Sequence, residues 1–344
     1  MTHRYIPILR WKQGERRGLG HLQPQAKVDV VPLFILGTDQ YRPPRGRNPL
    51  GLSPTHAIVA EIQQFWGTSP FYLDASAIPM TAGAPHHAMI DIAAALKAAG
   101  LHMIPATVLG APAHYQNAVA SIHGTDGLGV GLRVDLAEFT SASGWVPLMP
   151  IPMSAVDLIA DFRASVGLVS AMGSTLVNAF RSLHAATTWR TVTIAGTSIP
   201  SDFSGYAAGL HLLPRTEWAL WNSLSSASLP YRLDYGDYAT VSLAAPPPGI
   251  AWGYPINVKY TLQSDFLVCR GVKTTGRGGV DMPPQLIGHA NSITIYPSRT
   301  RITGCWADGL IDQIAAGTES PGNLETWVRI SVNRHVERVR SDLP

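Results

Sequence analysis

Cysteine is scarce in this chain: Cys269 and Cys305 are the only two among 344 residues. Two thiols in so large a chain make no disulfide framework and lack zinc-ligand spacing, so both read as reduced and buried. Charge is sparse too, at 14% against 46% hydrophobic residues, which excludes a disordered chain and describes a well-buried globule. A net charge of +3 is too small to argue for nucleic acid by itself. No apolar run reaches membrane-spanning length; Val28–Leu36 comes nearest and contains Asp29 and Pro32. The N-terminus has no basic segment followed by an apolar run, so no signal peptide is read. A cytoplasmic protein without a membrane partner is expected.

Several catalytic motifs are absent as well. There is no P-loop. Gly127, Gly129 and Gly131 precede a strand rather than open a helix, so they form no dinucleotide fingerprint. Gly196-Thr-Ser198 lacks the second glycine of a nucleophile elbow. His86 and His87 have no acidic partner at a familiar metal spacing.

What is present is a rhythm of short apolar strands alternating with helical segments. Strands are read at Tyr5–Arg10, Val28–Ile35, Phe71–Asp74, Leu101–Thr107, within Gly127–Leu136, at Val156–Asp161, Thr191–Gly196 and Tyr231–Tyr235. Helices are read near Arg16–Leu22, after the Ser53 cap and Pro54, over His87–Ala99, His114–Ile122, Val169–Leu183 and Arg215–Leu224. Eight such units in about 230 residues fit a (β/α)₈, TIM-barrel-like α/β fold better than an open sheet. The last third breaks the rhythm. Val258–Leu262 and Asp265–Arg270 look like a hairpin, and Thr274–Gly279 is a flexible basic loop. Helices near Asp308–Ala316 and Asn323–Val339 close the chain. The whole is read as one barrel domain, residues 1–344, with residues 239–305 as an insertion after the eighth strand, folded over the barrel mouth. A separate C-terminal α+β subdomain is the alternative.

The opening segment Tyr5–Glu15 resembles the start of the phage and bacterial beta family, named for a protein of a T-even phage. The similarity continues through Ile194–Pro200, Arg215–Trp218, Tyr235–Tyr238, Tyr260-Thr261, Cys269–Gly271, Gly304–Asp308, Thr326-Trp327 and Asn333–His335. Arg334-His335 stands where the family more often shows paired histidines. The resemblance implies a phage or mobile-element setting, with phage–host conflict and its partner proteins as the context. It brings no established reaction.

Strand ends place Lys12, Asp74, Arg133, Asp135, Asp161 and Asp237 around one rim of such a barrel, the end where this fold carries its sites. Carboxylates there hold a metal or act as acid and base, while Lys12 and Arg133 grip an anion. Alternatively the same cations simply neutralise Asp135 and Asp161. Four carboxylates against two cations would favour a divalent cation, magnesium or manganese. Arg42, Arg45, Arg47 and Arg270 add positive charge for phosphates or a nucleic-acid backbone, and Tyr238 and Tyr260 could stack a base. The expected function is binding of a phosphate-bearing small molecule or nucleotide, with metal-dependent phosphoester hydrolysis. A non-catalytic, ligand-sensing or partner-binding barrel is the alternative, favoured if the rim carboxylates are fully paired with rim cations.

Overall fold

The computed structural model describes residues 3–42, 51–243 and 255–344. Its strands are β1 (Tyr5–Arg10), β2 (Leu33–Ile35), β3 (Phe71–Asp74), β4 (Met103–Val108), β5 (Val130–Val134), β6 (Val156–Asp161), β7 (Thr191–Gly196), β8 (Gly209–Pro214), β9 (Leu233–Asp237), β10 (Asn257–Thr261) and β11 (Asp265–Arg270). Strands β1 to β7 and β9 close in chain order into a parallel barrel, completed where β1 pairs with β9. This is the (β/α)₈ architecture that the alternating pattern indicates. The second strand is shorter than its apolar run suggests. Asp29 takes a left-handed backbone (φ 62°) and Pro32 follows, so only an isolated bridge from Tyr5 to Val30 precedes Leu33.

Helices α1 (Gln13–Gly20), α2 (Pro54–Phe65), α3 (Ala88–Ala98), α4 (Ala113–Asp126), α5 (Leu136–Thr140), α6 (Ala142–Trp145), α7 (Val166–Ala171), α8 (Ser174–Ala186) and α9 (Thr216–Ser225) occupy the connections. The N-terminus of α2 is built as its sequence directs: Pro54 takes the first turn, and the Ser53 hydroxyl accepts from the His56 amide at 3.3 Å. Among the described residues no helix is long and apolar enough to cross a membrane.

Beyond β9, helices α10 (Met282–Thr294), α11 (Trp306–Ala315) and α12 (Leu324–Asp342) accompany a second sheet. That sheet is antiparallel, in the order β10-β11-β8. Its third strand comes from Gly209–Pro214, ahead of the last barrel strand, so residues 239–305 enclose only part of this unit. Val258, Tyr260, Leu267 and Cys269 pack with Leu286, Ile311 and Trp327 into a second core. Helix α12 lies against both α1 and β10 and ties this unit to the barrel.

Inside the barrel, alternation along each strand sets three layers. At the N-terminal end Asp157 accepts from Tyr72 at 2.6 Å, Thr191 at 2.6 Å and Arg190 Nε at 2.9 Å, while Arg4 Nε donates to Asp234 at 2.8 Å. Above these polar groups lie Ile6, Ile8, Leu33, Ala106, Ile159 and Ala195. Gly131 keeps this layer passable for the Tyr72 ring, since a Cβ there would come within 2.8 Å of it. Burial works against charge on Asp157, yet Arg190, Arg4 and Thr191 hold its carboxyl below the ordinary range. Removing that acceptor takes the carboxylate partner from Arg190 and the acceptor from the Tyr72 and Thr191 hydroxyls, while Arg4 keeps Asp234. Asp157→Ala should therefore cost about 3 kcal/mol in urea denaturation; a loss below about 1 kcal/mol would show that the floor is not held this way.

Candidate functional site at the barrel mouth

The C-terminal ends of the barrel strands surround a cavity of about 290 Å³. Its walls include Ile8 and Arg10 from β1, Ile35 from β2, Arg133 from β5, and Arg163 and Tyr238 from the segments following β6 and β9. Glu15, from the first turn of α1, completes the ring. Such a volume is at the small end of the range for ligand pockets, about 300 Å³ upward.

Arg133 is the centre of the arrangement. Its Nη2 donates to Asp74 at 2.6 Å and its Nη1 to Asp161 at 3.5 Å. Burial opposes its charge, but Asp74, Tyr238 and Asp161 together hold the guanidinium above its ordinary pKa. The two carboxylates are occupied elsewhere as well. Asp74 accepts from the Ser76 amide at 2.9 Å, and Asp161 accepts from the Arg163 amide at 3.2 Å and from the Tyr238 hydroxyl. Arg133 Nε is buried without a partner among the described residues. Arg163 carries a left-handed backbone (φ 48°), a strained conformation for a non-glycine residue of the kind that gathers at functional sites.

Arg10 donates to the Leu243 carbonyl. Glu15 is 3% exposed, and its Oε2 has no hydrogen-bond partner among the described residues. Burial pushes its carboxyl from 4.5 up to about 8, against weaker opposing effects of the Arg10 amide and of the Arg10 and Lys12 charges. At neutral pH this group is mainly protonated and can donate a hydrogen bond into the cavity.

The residues anticipated for the rim divide into three sets. Asp74, Arg133, Asp161 and Tyr238 come together at the mouth. Lys12 occupies the N-cap position of α1 without a capping hydrogen bond from its side chain, lies near Glu15 and forms no ion pair with any described residue. Asp135 does not face the cavity: it caps α5, accepting from the Glu138 amide at 2.9 Å in a reciprocal capping box. Asp237 points outward through the barrel wall. It accepts from Tyr5 at 2.7 Å and Tyr235 at 2.8 Å and contacts His335 of α12 at 2.7 Å. Burial opposes its charge, yet His335 and Tyr5 hold the carboxyl below its ordinary range.

Arg270 and Tyr260 lie in the second unit, not at the mouth. Arg270 donates to Asn257 at 3.1 Å, and Tyr260 donates to Asp308 at 2.7 Å beneath the Arg334 guanidinium. Arg42 is exposed, while Arg45 and Arg47 fall outside the described residues. Both cysteines are free and buried, and burial pushes Cys269 up to about 12. His87 caps α3 and contacts the Ile78 carbonyl at 2.7 Å, a structural role.

The family model described as Beta protein matches residues 5–341, nearly the full length of the barrel and its second unit. The chain belongs to the Beta protein family. No curated protein matches it. In this Beta family member Arg334, at the position where the sequence departs from the expected histidine pair, is fully buried and paired with Asp308 at 2.9 Å. The adjacent His335 contacts Asp237 of β9 and Thr261 of β10, so Arg334 holds α12 to the second unit and His335 joins it to the barrel.

The charge balance at the mouth differs from the one the strand ends suggest. Arg10, Arg133 and Arg163 stand at the mouth against Asp74 and Asp161, with Glu15 mainly neutral. The surplus is positive. Among the described residues no group of three or more His, Cys, Asp or Glu is placed to hold a metal ion. Oxygens of Asp74 and Asp161 are already bound to Arg133, so a divalent cation would have to displace it.

Because Glu15 holds its proton more tightly folded than unfolded, its own contribution to stability is full below pH 4.5 and is lost as pH rises toward 8. Glu15→Gln removes that contribution. The stability of the variant relative to wild type should rise by about 2 kcal/mol or more between pH 5 and pH 8 in paired urea titrations. A difference that stays flat over this interval would show that Glu15 ionises normally.

Proposed function

We propose that this Beta family member binds a phosphate-bearing small molecule or nucleotide at its barrel mouth. The observation that carries this reading is the positive surplus: Arg10, Arg133 and Arg163 converge on one cavity whose two carboxylates are already engaged. Guanidinium groups suit phosphate because their planar N–H donors match its oxygens. Arg133 is fixed by Asp74 and Asp161, so it is oriented before a ligand arrives and little ordering cost remains. Protonated Glu15 supplies a neutral donor for a further phosphate oxygen. Tyr238 offers an aromatic wall for the rest of the ligand.

Ligand sensing is the reading we favour over metal-dependent hydrolysis. Asp74 and Asp161 are bound to Arg133 and backbone amides, leaving neither free as a general base. Phosphoester hydrolysis is the second reading, and Glu15 is the feature that favours it, as a buried carboxylic acid able to protonate a leaving oxygen. The phage or mobile-element setting implied by the family resemblance would make the ligand a signal or substrate of phage–host conflict. A nucleic-acid backbone would call for a basic track through Arg42, Arg45 and Arg47, of which only Arg42 lies among the described residues.

Titration calorimetry with inorganic phosphate and nucleoside monophosphates tests the proposal. The double variant Arg10→Gln, Arg163→Gln should weaken binding at least about tenfold, the loss of one charge-assisted contact or more, with melting within a few degrees of wild type. Affinity in the wild type should fall as pH rises through about 8, where Glu15 loses its proton, and Glu15→Gln should flatten that profile. Absence of binding for every phosphate compound, or unchanged binding in the double variant, would refute the anion grip. Phosphate release from a monophosphate, lost in Glu15→Gln, would move the assignment to hydrolysis.

A further inference from the structure

A second concave site lies away from the mouth, between strand β8 and helix α10. Strand β8 is an edge of its sheet: β11 pairs with one side, and no described backbone group reaches the other. Leu210 and Leu212 on this strand are 46% and 49% exposed. An unpaired, apolar edge of this kind invites another strand, and natural proteins ordinarily blunt it with charge or proline. Here Gly209, Leu210, His211, Leu212 and Leu213 carry neither until Pro214 ends the strand.

The groove beside this edge has a volume of about 340 Å³. Gln285, His289 and Ser292 line it from α10, at the spacing of a single helical face. Gly288 on the same face leaves open space, since a Cβ there would meet nothing within 4 Å. Arg270, at the end of β11 and opposite Gly209 in register, is the one charged residue among the described residues that line the groove. Its Nη1 donates to Asn257, and no described carboxylate forms an ion pair with it, although Asp202 lies near enough to feel its charge. Lys273 and Arg277 follow on the adjoining loop, with Asp281 beyond them. At the same end the Val272 amide donates to Gln285 at 2.8 Å and draws the loop onto α10. His289 Nε2 is buried without a partner, and burial favours its neutral ring.

We infer that this groove receives the extended C-terminal segment of a partner protein, which adds as a strand to the free edge of β8 and sets its terminal carboxylate against Arg270. Main-chain hydrogen bonds along β8 supply affinity, and an apolar side chain near Leu210 supplies selectivity, as in other strand-addition sites. Arg270, whose guanidinium donates to Asn257 but has no carboxylate partner among the described residues, makes a carboxylate the complementary end group, and the loop drawn onto α10 stops the chain there. This inference does not depend on the phosphate reading of the barrel mouth.

The test uses the full-length chain and an array of hexapeptides with free C-termini, each paired with its C-terminal amide. A subset of the free acids should bind, and amidation should weaken each at least about tenfold, the worth of a charged hydrogen bond. Arg270→Gln should cause a similar loss, Arg270→Lys a smaller one, and Arg10→Gln at the mouth none. Leu210→Glu, at a half-exposed edge position, should abolish binding without lowering the melting temperature by more than a few degrees, and it carries the test should Arg270→Gln fail to fold. Binding by no peptide, equal binding of acids and amides, or a homodimer lost in Leu210→Glu would overturn the assignment, the last in favour of a second copy.

Discussion

The Arg133 fork is the interaction on which the barrel mouth depends. A barrel interior is a dry place for charge, and an unpaired guanidinium there would cost several kcal/mol. Asp74 from β3 and Asp161 from β6 approach it from both sides, which fixes the guanidinium and consumes both carboxylates. What remains at the mouth is cationic: Arg10 and Arg163, with Glu15 held mainly neutral by burial. The site reads as an anion receptor because its acids are spent on organising its central base. A similar logic operates at the floor, where Asp157 and Asp234 hold Arg4 and Arg190, but there Tyr72, Thr191 and apolar neighbours leave the charges paired.

Strand alternation explains which parts of the site could be read from sequence. In β1 the inward residues are Ile6, Ile8 and then Arg10, so parity alone points Arg10 into the barrel. The charged turn beyond it points to Lys12, which instead sits at the N-cap position of α1. In β9 the inward set is Asp234, Gly236 and Tyr238, which forces Asp237 outward into its contact with His335. Asp135 has the right parity relative to Arg133, but β5 ends at Val134 and the chain turns at Asp135 to begin α5. Charge at a strand end identifies the rim; parity and the first helical residue decide which side chains face the cavity.

The barrel was legible because its strands are apolar, short and separated by helices with clear start signals. The second unit was harder. Strand β8 has little local strand propensity and forms through pairing with β11, more than fifty residues later in the chain. Helix α10, to which the sequence pattern assigns no element, begins at Met282-Pro283-Pro284, and proline is well tolerated in a first turn where no amide partner is needed. Glu15 carried no sequence signal beyond its position after Lys12, because its burial depends on residues from β1 and from the segment after β9.

The central claim is that the mouth is an anion site built on an already neutralised pair of carboxylates. Anomalous diffraction from crystals soaked in tungstate, and separately in manganese, measures this most directly. The account predicts tungstate density among Arg10, Arg133 and Arg163, with the Arg133 contacts to Asp74 and Asp161 intact and no manganese in the cavity. Manganese bound to Asp74 and Asp161 with Arg133 displaced, and no tungstate nearby, would contradict it.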